Sequence, residues 1–427
     1  APGQDLEAAS QTQTTLAMVV FTLPLVLTSF VAGFFADRLS KRTVIITMKA
    51  VEVLLMAGAT LALLSHPTGG AWALVMLACM GVHSALFSPA KYGILPELLP
   101  HAQLARGNSI LELFTFLAIL TGTTAGGFLP AGAGNQPWLA PLALTILALI
   151  GFAAARAVPP VPAARAAGGL FDTLRGALSA LRADRLLRLA ITGAVFFWTI
   201  ASLVVQNVLV YAKAVLGLSD ALATVPSALI SVGIGLGALV VGRLSRSRVE
   251  YGLVPLGAAG VATFLLTLGW WVPAFTGTLV VMIALGMSSA LIFIPINALV
   301  QWRAPHDRRG SVIALENICV FTGILLGSLS GGVLANVGLS TVGIFVATAG
   351  LTTIGTAWAM WLMPETFLRL VLVLLTHTIY RLRIVGQAHV PVTGGALLVP
   401  NHISFIDGFL LIASVDWRRA VAAACPT

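Results

Sequence analysis

Apolar residues along this chain of 427 residues occur in blocks of about 20, and short polar segments separate the blocks. A helix of that length spans the hydrocarbon core of a bilayer. The alternation of apolar and polar residues that marks a membrane β-barrel is absent from the sequence. The pattern therefore predicts an all-α membrane protein. Its eleven predicted spans lie at residues 16–36, 43–64, 71–88, 108–130, 138–156, 189–211, 222–242, 252–271, 277–295, 311–334 and 340–362.

The positions of the basic residues predict an orientation for the chain. When the loop after the first span is placed in the cytoplasm and the spans alternate, 22 of the 24 Lys and Arg residues fall in cytoplasmic segments. Lys49 lies within a span, and Lys213 falls on the opposite side. Cytoplasmic loops of membrane proteins carry such an excess of Lys and Arg, so the charges support both the orientation and the spans.

The composition argues against several other classes of protein. Only 9% of the residues are charged and 58% are hydrophobic, whereas a soluble domain has about 25% charged residues. The net charge of +9 comes from short loops and forms no basic face rich in aromatic residues, so we expect no nucleic-acid partner. Cys79, Cys319 and Cys425 share no ligand spacing, and we expect neither a metal site nor a disulfide framework.

Similar segments recur in the two halves of the chain at a nearly constant offset. The matches, at offsets of 204 and 205 residues, are 33–42 with 238–247, Gly81 with Gly286, Glu112 with Glu316, and Gly126-Gly127 with Gly331-Gly332. Several matches at one offset predict two homologous halves, an arrangement common among transporters. By the same offset, the partner of the span at 189–211 would precede residue 1. We therefore expect a twelfth span ahead of residues 1–15, which would be the loop that follows it.

These features divide the chain into four predicted parts. Residues 1–156 form the N-terminal transporter half and residues 189–363 form the C-terminal half. A central cytoplasmic loop at 157–188 begins as a linker rich in Pro and Ala and continues as an amphipathic helix on the membrane face. Residues 364–427 read as a strand, a Gly turn, a buried strand and a helix, which is typical of the start of an α/β domain.

One conspicuous loop motif combines Gly33, Asp37, Arg38, Lys41 and Arg42. Glycine permits close helix approach, aspartate can accept hydrogen bonds at a helix end, and the basic residues hold the loop in the cytoplasm. The motif resembles the signature loop of the major facilitator superfamily, which implies two six-span halves and a gating role for these residues. The alternative is a positively charged loop without a gating role. In the second copy, Gly242 replaces the aspartate.

A second motif, SPAKYGILPEL at residues 88–98, is more specific. Together with Asn108 and Glu112, it resembles the bacterial lysophospholipid transporters of that superfamily. The resemblance covers residues 16–362 and is strongest at 81–128. It implies that the protein moves lysophospholipids, typically lysophosphatidylethanolamine, from the outer to the inner leaflet of the bacterial cytoplasmic membrane.

Carboxylates within the spans are further candidates, because charge in lipid is costly and normally faces a cavity or a partner. Glu112 and Glu316, with Asn108 nearby, are candidates for contact with a headgroup amine or for cation coupling. The alternative is a structural pair between helices. Lys49 and Glu52 lie three residues apart in one span and are expected to neutralise each other. His83 has no matching acid nearby, and we expect it to be a packed or snorkelling residue.

The last motif, NHISFID at residues 401–407, contains His402 and Asp407 at a predicted strand–helix junction. The aspartate can orient the imidazole, and the imidazole can then remove a proton from an attacking hydroxyl. The motif resembles the first motif of glycerolipid acyltransferases, which implies acyl transfer to a lysophospholipid or glycerophosphate hydroxyl. The acyl donor would be acyl-carrier protein or acyl-CoA, and no tightly bound cofactor is expected. Later family motifs would lie beyond Thr427, so we expect neither activity to be complete within these 427 residues.

The leading hypothesis is therefore a bacterial fusion protein of the inner membrane, with its C-terminal domain in the cytoplasm. Its membrane part would flip lysophospholipid inward, and its cytoplasmic part would re-acylate it. One alternative is an exporter of drugs or small metabolites with an incidental tail. Another is an acyltransferase whose spans serve only as an anchor.

Overall fold

The computed structural model describes residues 2–362, apart from 68–69, 134–135, 164–168 and 246–249. Every regular element within these described residues is a helix, which confirms the predicted all-α membrane body. The predicted α/β segment at 364–427, with His402 and Asp407, lies outside the described residues, and the division into four parts stays a prediction.

The helices follow one another through short connections. Those of the first half are α1 (Pro2–Arg38), α2 (Lys41–Ser65), α3 (Gly70–Gly93), α4 (Leu95–Leu98), α5 (His101–Ala133) and α6 (Leu139–Ala155). The central segment contains α7 (Leu170–Ala183). Those of the second half are α8 (Arg185–Ala214), α9 (Asp220–Ala223), α10 (Val225–Leu244), α11 (Leu253–Leu266), α12 (Phe275–Arg303), α13 (Arg309–Asn336) and α14 (Thr341–Leu362).

Ten of the described helical segments are long and apolar enough to cross a membrane. The eleventh predicted span, at 138–156, corresponds to α6, which is apolar but only 17 residues long. A π-helical turn at Thr267–Trp271 extends α11 to the required length. Each predicted span therefore has a helix, and the helices extend beyond the apolar blocks because polar residues continue them at the membrane surfaces.

The interpretation of residues 1–15 as a loop is wrong. The first helix, α1, begins at Pro2 and continues without interruption to Arg38. The segment after Gly3 contains alanine, glutamine, glutamate and leucine and no further proline or glycine before Pro24. Such residues have high helix propensity, so polarity alone was a poor guide to where the helix starts.

The predicted amphipathic helix in the central segment is present as α7. Its buried positions, Thr173, Gly176, Ala177 and Ala180, recur at helical spacing and carry small side chains. This face packs on α1, α8 and α13, while Phe171 on the opposite side is exposed. The helix is therefore fixed against the ends of the membrane helices through small residues.

The two halves repeat the same packing. Helix α1 packs on α3 as α10 packs on α12, and α2 packs on α6 as α11 packs on α14. The contacts that join the halves include α1 with α13 and α5 with α10. The offset of 205 residues relates these two contacts to each other, so the interface has the pseudo-twofold arrangement that homologous halves predict.

Matching glycines permit a close helix crossing in each half. A Cβ atom at Gly81 would lie 2.2 Å from the carbonyl oxygen of Phe21, and one at Gly286 would lie 2.1 Å from that of Ile230. Only glycine permits these backbones to approach so closely, as small residues do at many membrane helix interfaces. The Gly81–Gly286 match is therefore a repeated packing device.

We predict that Gly286→Val destabilises the protein by about 1–3 kcal/mol or more, because the new side chain meets backbone atoms that have no free space. Thermal unfolding in nanodiscs measures the loss. Gly350→Val is the matched control, because Gly350 lies on α14 and a Cβ atom there would meet no neighbouring atom within 4 Å. Equal unfolding temperatures for the two variants would contradict this account of the crossing.

Candidate functional site

The Asp37 carboxylate joins the two halves at their predicted cytoplasmic end. It is buried at the end of α1 and accepts hydrogen bonds from the backbone N–H groups of Gly310 at 2.5 Å and Ser311 at 2.9 Å. These groups belong to the first turn of α13, whose unpaired N–H groups and dipole favour an anion. The expectation that Asp37 binds backbone groups at a helix end is confirmed.

The rest of the loop motif surrounds this contact. A Cβ atom at Gly33 would lie 2.7 Å from Ala314 Cβ, so Gly33 permits the close approach of α1 to α13. Lys41 is the first residue of α2, where it is fully buried and forms an ion pair with Glu97 of α4, and its role in gating stays a prediction. The pairing is favoured because a buried ammonium group needs a partner.

The two arginines of the motif hold neighbouring segments in place. Arg38 lies over the ring of Phe34 at 3.7 Å and donates to the Thr173 hydroxyl of α7 at 3.4 Å. Arg42 donates to the carbonyl oxygen of Val158 at 2.7 Å, which fixes the chain that follows α6. The motif therefore joins α1, α7, α13 and the linker at one end of the molecule.

The second contact between the halves is built differently. Asn108 of α5 and Gln301 of α12 are both buried and exchange two hydrogen bonds of 2.8 Å. At the pseudo-symmetric position of Asp37, a Cβ atom on Gly242 would lie 3.3 Å from Ser109 Cβ, so helix contact replaces the carboxylate. Asn108 is thus engaged between the halves, and its role in substrate binding stays a prediction.

An ion pair just outside the membrane helices fixes the central segment. Asp184 accepts hydrogen bonds from the Leu187 backbone at 3.1 Å and from Arg303 Nε at 2.6 Å. Burial raises the pKa of Asp184, but these partners outweigh burial and leave the pKa below its ordinary value. The stabilisation is therefore present above the ordinary pKa of an aspartate and is lost as the pH falls through the depressed value.

Deeper in the membrane body, Glu112 of α5 is buried at the interface of the halves. The Asn297 amide of α12 lies 3.5 Å from Glu112 Oε1, and the Tyr92 hydroxyl also approaches this carboxylate. Lys91 lies near enough for electrostatic attraction to Glu112, without forming an ion pair within 4 Å among the described residues. Lys91 donates instead to the Thr115 hydroxyl at 3.1 Å.

Glu316 lies on the other side of this cluster, on α13. It is buried and forms no hydrogen bond or ion pair with any residue that the structure describes, although Tyr92 and Cys319 are electrostatic neighbours. The amide of Asn317, the next residue in the chain, donates to the Ser88 hydroxyl at 2.9 Å and links α13 to α3. Glu112 and Glu316 therefore lie in one polar cluster, while the choice between headgroup contact and coupling stays a prediction.

This central cluster, which we define as Ser88, Lys91, Tyr92, Glu112, Asn297, Glu316 and Asn317, contains an ammonium group, two carboxylates and four uncharged side chains that form hydrogen bonds to their neighbours within it. Such a set offers partners to both a cation and an anion. Sequence reasoning found the glutamates but assigned Lys91 to a loop, whereas it lies within α3. It also missed Asn297 and Asn317, although Asn317 lies inside a predicted span, where an amide is itself a signal.

The fold and this cluster define a multi-span membrane protein of two homologous halves with charged groups at their interface. Comparisons with known proteins agree. The family profile of the Major Facilitator Superfamily matches residues 4–328. In structure, the chain is similar to the fucose:proton symporter FucP of E. coli, with a TM-score of 0.68 and 13% identity, covering 82% of this chain and 90% of that one.

Two curated relatives are both named lysophospholipid transporter LplT. The protein of Photorhabdus laumondii is 29% identical over 359 residues, which cover 80% of this chain and 85% of that protein. The protein of Yersinia enterocolitica is 30% identical over 328 residues, which cover 74% of this chain and 76% of that protein. The chain belongs to the Major Facilitator Superfamily and is a multi-pass membrane transporter.

We predict that Asp37→Ala lowers the free energy of unfolding by about 2 kcal/mol, because two backbone N–H groups of α13 lose a charged acceptor. Thermal unfolding in nanodiscs measures this loss, and Asp37→Asn is expected to lose less. Asp172→Asn is the control, because Asp172 accepts a backbone N–H group of Gly169 at 2.8 Å on the exposed surface of α7. A loss as large in the control would contradict the special role of the buried contact.

Proposed function

We propose that this protein moves lysophospholipids across the bacterial cytoplasmic membrane from the outer to the inner leaflet. The observation that carries the proposal is the central cluster, which combines buried carboxylates with an ammonium group where the two halves meet. The names of the curated relatives support the same substrate class. Both leaflets already accommodate acyl chains, so the protein mainly has to shelter a polar headgroup.

The chemistry of the cluster suits a zwitterionic headgroup. A phosphoethanolamine group has an ammonium and a phosphodiester, which need an anionic and a cationic partner in a region of low dielectric constant. Glu316 is a suitable partner for the ammonium because it has no partner among the described residues. Lys91 is a suitable partner for the phosphodiester because its hydrogen bond goes to the neutral hydroxyl of Thr115 and it forms no ion pair within 4 Å among the described residues.

Movement of the substrate would follow from rocking of the halves about this cluster. The Asp37 contact and the Asn108–Gln301 pair both lie at the predicted cytoplasmic end and close the interface there. Opening towards the cytoplasm would require these buried polar groups to exchange their partners for water. Closure at this end is therefore reversible, because water can replace each of the broken hydrogen bonds.

The test is reconstitution of the full-length protein in proteoliposomes with a fluorescent lysophosphatidylethanolamine whose outer-leaflet fraction is quenched. We expect inward flipping without an acyl donor, and a fall of about tenfold or more in Glu316→Gln, because the ammonium loses its counter-charge. Asp307→Asn is the control, since Asp307 is an exposed carboxylate near the start of the same helix. Efflux of drugs without lipid flipping would instead support the exporter alternative.

We further propose that the segment with NHISFID at 401–407 belongs to a glycerolipid acyltransferase that uses acyl-carrier protein or acyl-CoA. His402 would act as the general base and Asp407 would orient its ring. The support for this proposal is the motif itself, together with the predicted position of residues 364–427 on the cytoplasmic side. The two activities together would return a lysophospholipid to the inner leaflet and re-acylate it there.

We expect His402→Ala in the full-length protein to abolish acyl transfer while flipping continues, because the proposed general base and the transport cluster belong to different predicted parts of the chain. Radiolabelled acyl transfer and the flipping assay, run on the same vesicles, measure the two activities. His389→Ala, in the same segment but outside the motif, is the control. Loss of both activities in a folded His402→Ala protein would contradict two separate modules, and acylation that survives deletion of the spans would support the anchor alternative.

A further inference from the structure

A second group of titratable side chains lies inside the first half, between α2 and α3. Lys49 Nζ lies 2.7 Å from Glu52 Oε2, which confirms the predicted pair within one helix. His83 Nε2 lies 3.8 Å from the same carboxylate oxygen, which contradicts the expectation that no acid is near it. Lys49 and His83 therefore share the carboxylate of Glu52, and we call these three residues the triad.

The hydrogen bonds of His83 define where it can accept a proton. Nε2 lies 3.0 Å from the carbonyl oxygen of Met48, and a carbonyl can only accept, so the proton of the neutral ring is assigned to Nε2. The imidazole is 5% exposed, and its Nδ1 atom has no hydrogen-bond partner among the described residues. Nδ1 is thus a free basic site in the body of the protein.

The second half of the same chain provides an internal control for this arrangement. At the offset of 205 residues, Val254, Gly257 and Ser288 occupy the positions of Lys49, Glu52 and His83. There α11 and α12 pack directly, and a Cβ atom at Gly257 would lie 2.6 Å from the carbonyl oxygen of Ser288. The fold therefore does not need charges at this crossing, and their presence in the first half requires another explanation.

The triad also lies beside the central cluster. His83, Phe87 and Lys91 follow one another at intervals of four residues and so share one face of α3. Lys49 Nζ lies 5.2 Å from the centre of the Phe87 ring, between His83 and Lys91, and it repels Lys91 electrostatically. A change in the pairing of Lys49 therefore acts on Lys91, which itself attracts Glu112.

Other charged groups on the helices that pack against α3 are engaged elsewhere. The described side chains of α1 include Asp37, which binds the start of α13, and Arg38, which lies over Phe34. On α4, Glu97 pairs with Lys41. Helix α13 contributes Arg309 near that pair and Glu316 in the central cluster, and α6 has no charged residue. Glu52 and Lys49 are thus the charges that face His83.

We propose that the triad is a proton-binding site whose occupancy acts on the central cluster. A hydronium ion from the aqueous phase transfers a proton to Nδ1 of His83. The Nε2–H group keeps its hydrogen bond to the Met48 carbonyl, and the positive charge of the imidazolium attracts the Glu52 carboxylate 3.8 Å away. Because one carboxylate then serves two cations, its pairing with Lys49 weakens and the Lys49 charge acts more strongly on Lys91. The binding of the proton is independent of the proposed function, whereas its coupling to transport rests on it.

The first test measures proton binding without any transport. In the full-length protein, labelled with ¹⁵N-histidine and held in nanodiscs, we expect His83 to be the neutral Nε2–H tautomer near about pH 8 and to become imidazolium towards about pH 5. Comparison with His83→Gln assigns the signal. In Glu52→Gln, the protonated fraction at about pH 5 should fall at least about threefold, because the counter-charge is lost.

His66, which is exposed at the end of α2, is the internal control, and its signals should be the same in Glu52→Gln and in the parent protein. A His83 signal that stays neutral over the whole range would overturn the proposal. So would a titration of His83 that Glu52→Gln leaves unchanged. These results do not depend on whether the protein flips lipid, so they stand apart from the test of the proposed function.

The second test measures coupling. We expect the flipping rate of the fluorescent lysolipid to differ at least about threefold between about pH 5 and 8 in the parent protein, and to vary by less than about 1.5-fold in His83→Gln. His83→Ser, which carries the residue found at the equivalent position of the second half, is the alternative if His83→Gln does not fold. His66→Gln should keep the parental dependence. A parent rate independent of pH, or a dependence that survives in both His83 variants, would overturn the coupling.

Discussion

The cost of placing a charge among apolar helices governs the arrangement of this molecule. Burying an unpaired ionised side chain is strongly unfavourable, so each one needs a partner, a hydrogen-bonding helix end or a cavity. Asp37 uses the start of α13, Lys41 uses Glu97, and Lys49 uses Glu52. The Asp37 contact joins the two halves. The hydrogen bonds that offset the cost of burying this carboxylate therefore also hold the halves together.

Of the two pseudo-symmetric contacts between the halves, one contains a buried charge with its partners and the other has a glycine at the equivalent position. Where α1 meets α13, a carboxylate binds two backbone N–H groups, and these charge-assisted bonds are strong and directional. Where α10 meets α5, Gly242 lies against Ser109, so the contact there is close packing. Packing tolerates sliding better than a charge-assisted bond tolerates stretching. One contact therefore depends on a charge-assisted bond, whereas the other combines close packing with the neutral Asn108–Gln301 hydrogen bonds.

Much of the fold was predictable because lipid imposes simple rules on sequence. The length of the apolar blocks located the helices, and the repeat related the halves, down to the matching crossings at Gly81 and Gly286. The start of α1 was not predictable from polarity, because polar residues with high propensity extend a helix beyond the membrane. For the candidate site, the chemistry of Asp37 was foreseen, but its partner lies 273 residues away, and no local pattern encodes that distance.

The side chains that sequence reasoning misjudged share one physical feature. Lys41 and Lys91 were assigned to cytoplasmic loops by their charge, and His83 was judged to lack an acid. Each lies near a helix crossing, where a residue from a different helix decides its environment: Glu97 for Lys41, Glu112 for Lys91 and Glu52 for His83. Lys41 forms a close ion pair, whereas Lys91 and His83 lie near carboxylates without forming a hydrogen-bonded ion pair with them. The incomplete pairs are the ones in which a ligand or a proton can change the balance, because a fully satisfied pair gains little from a new partner.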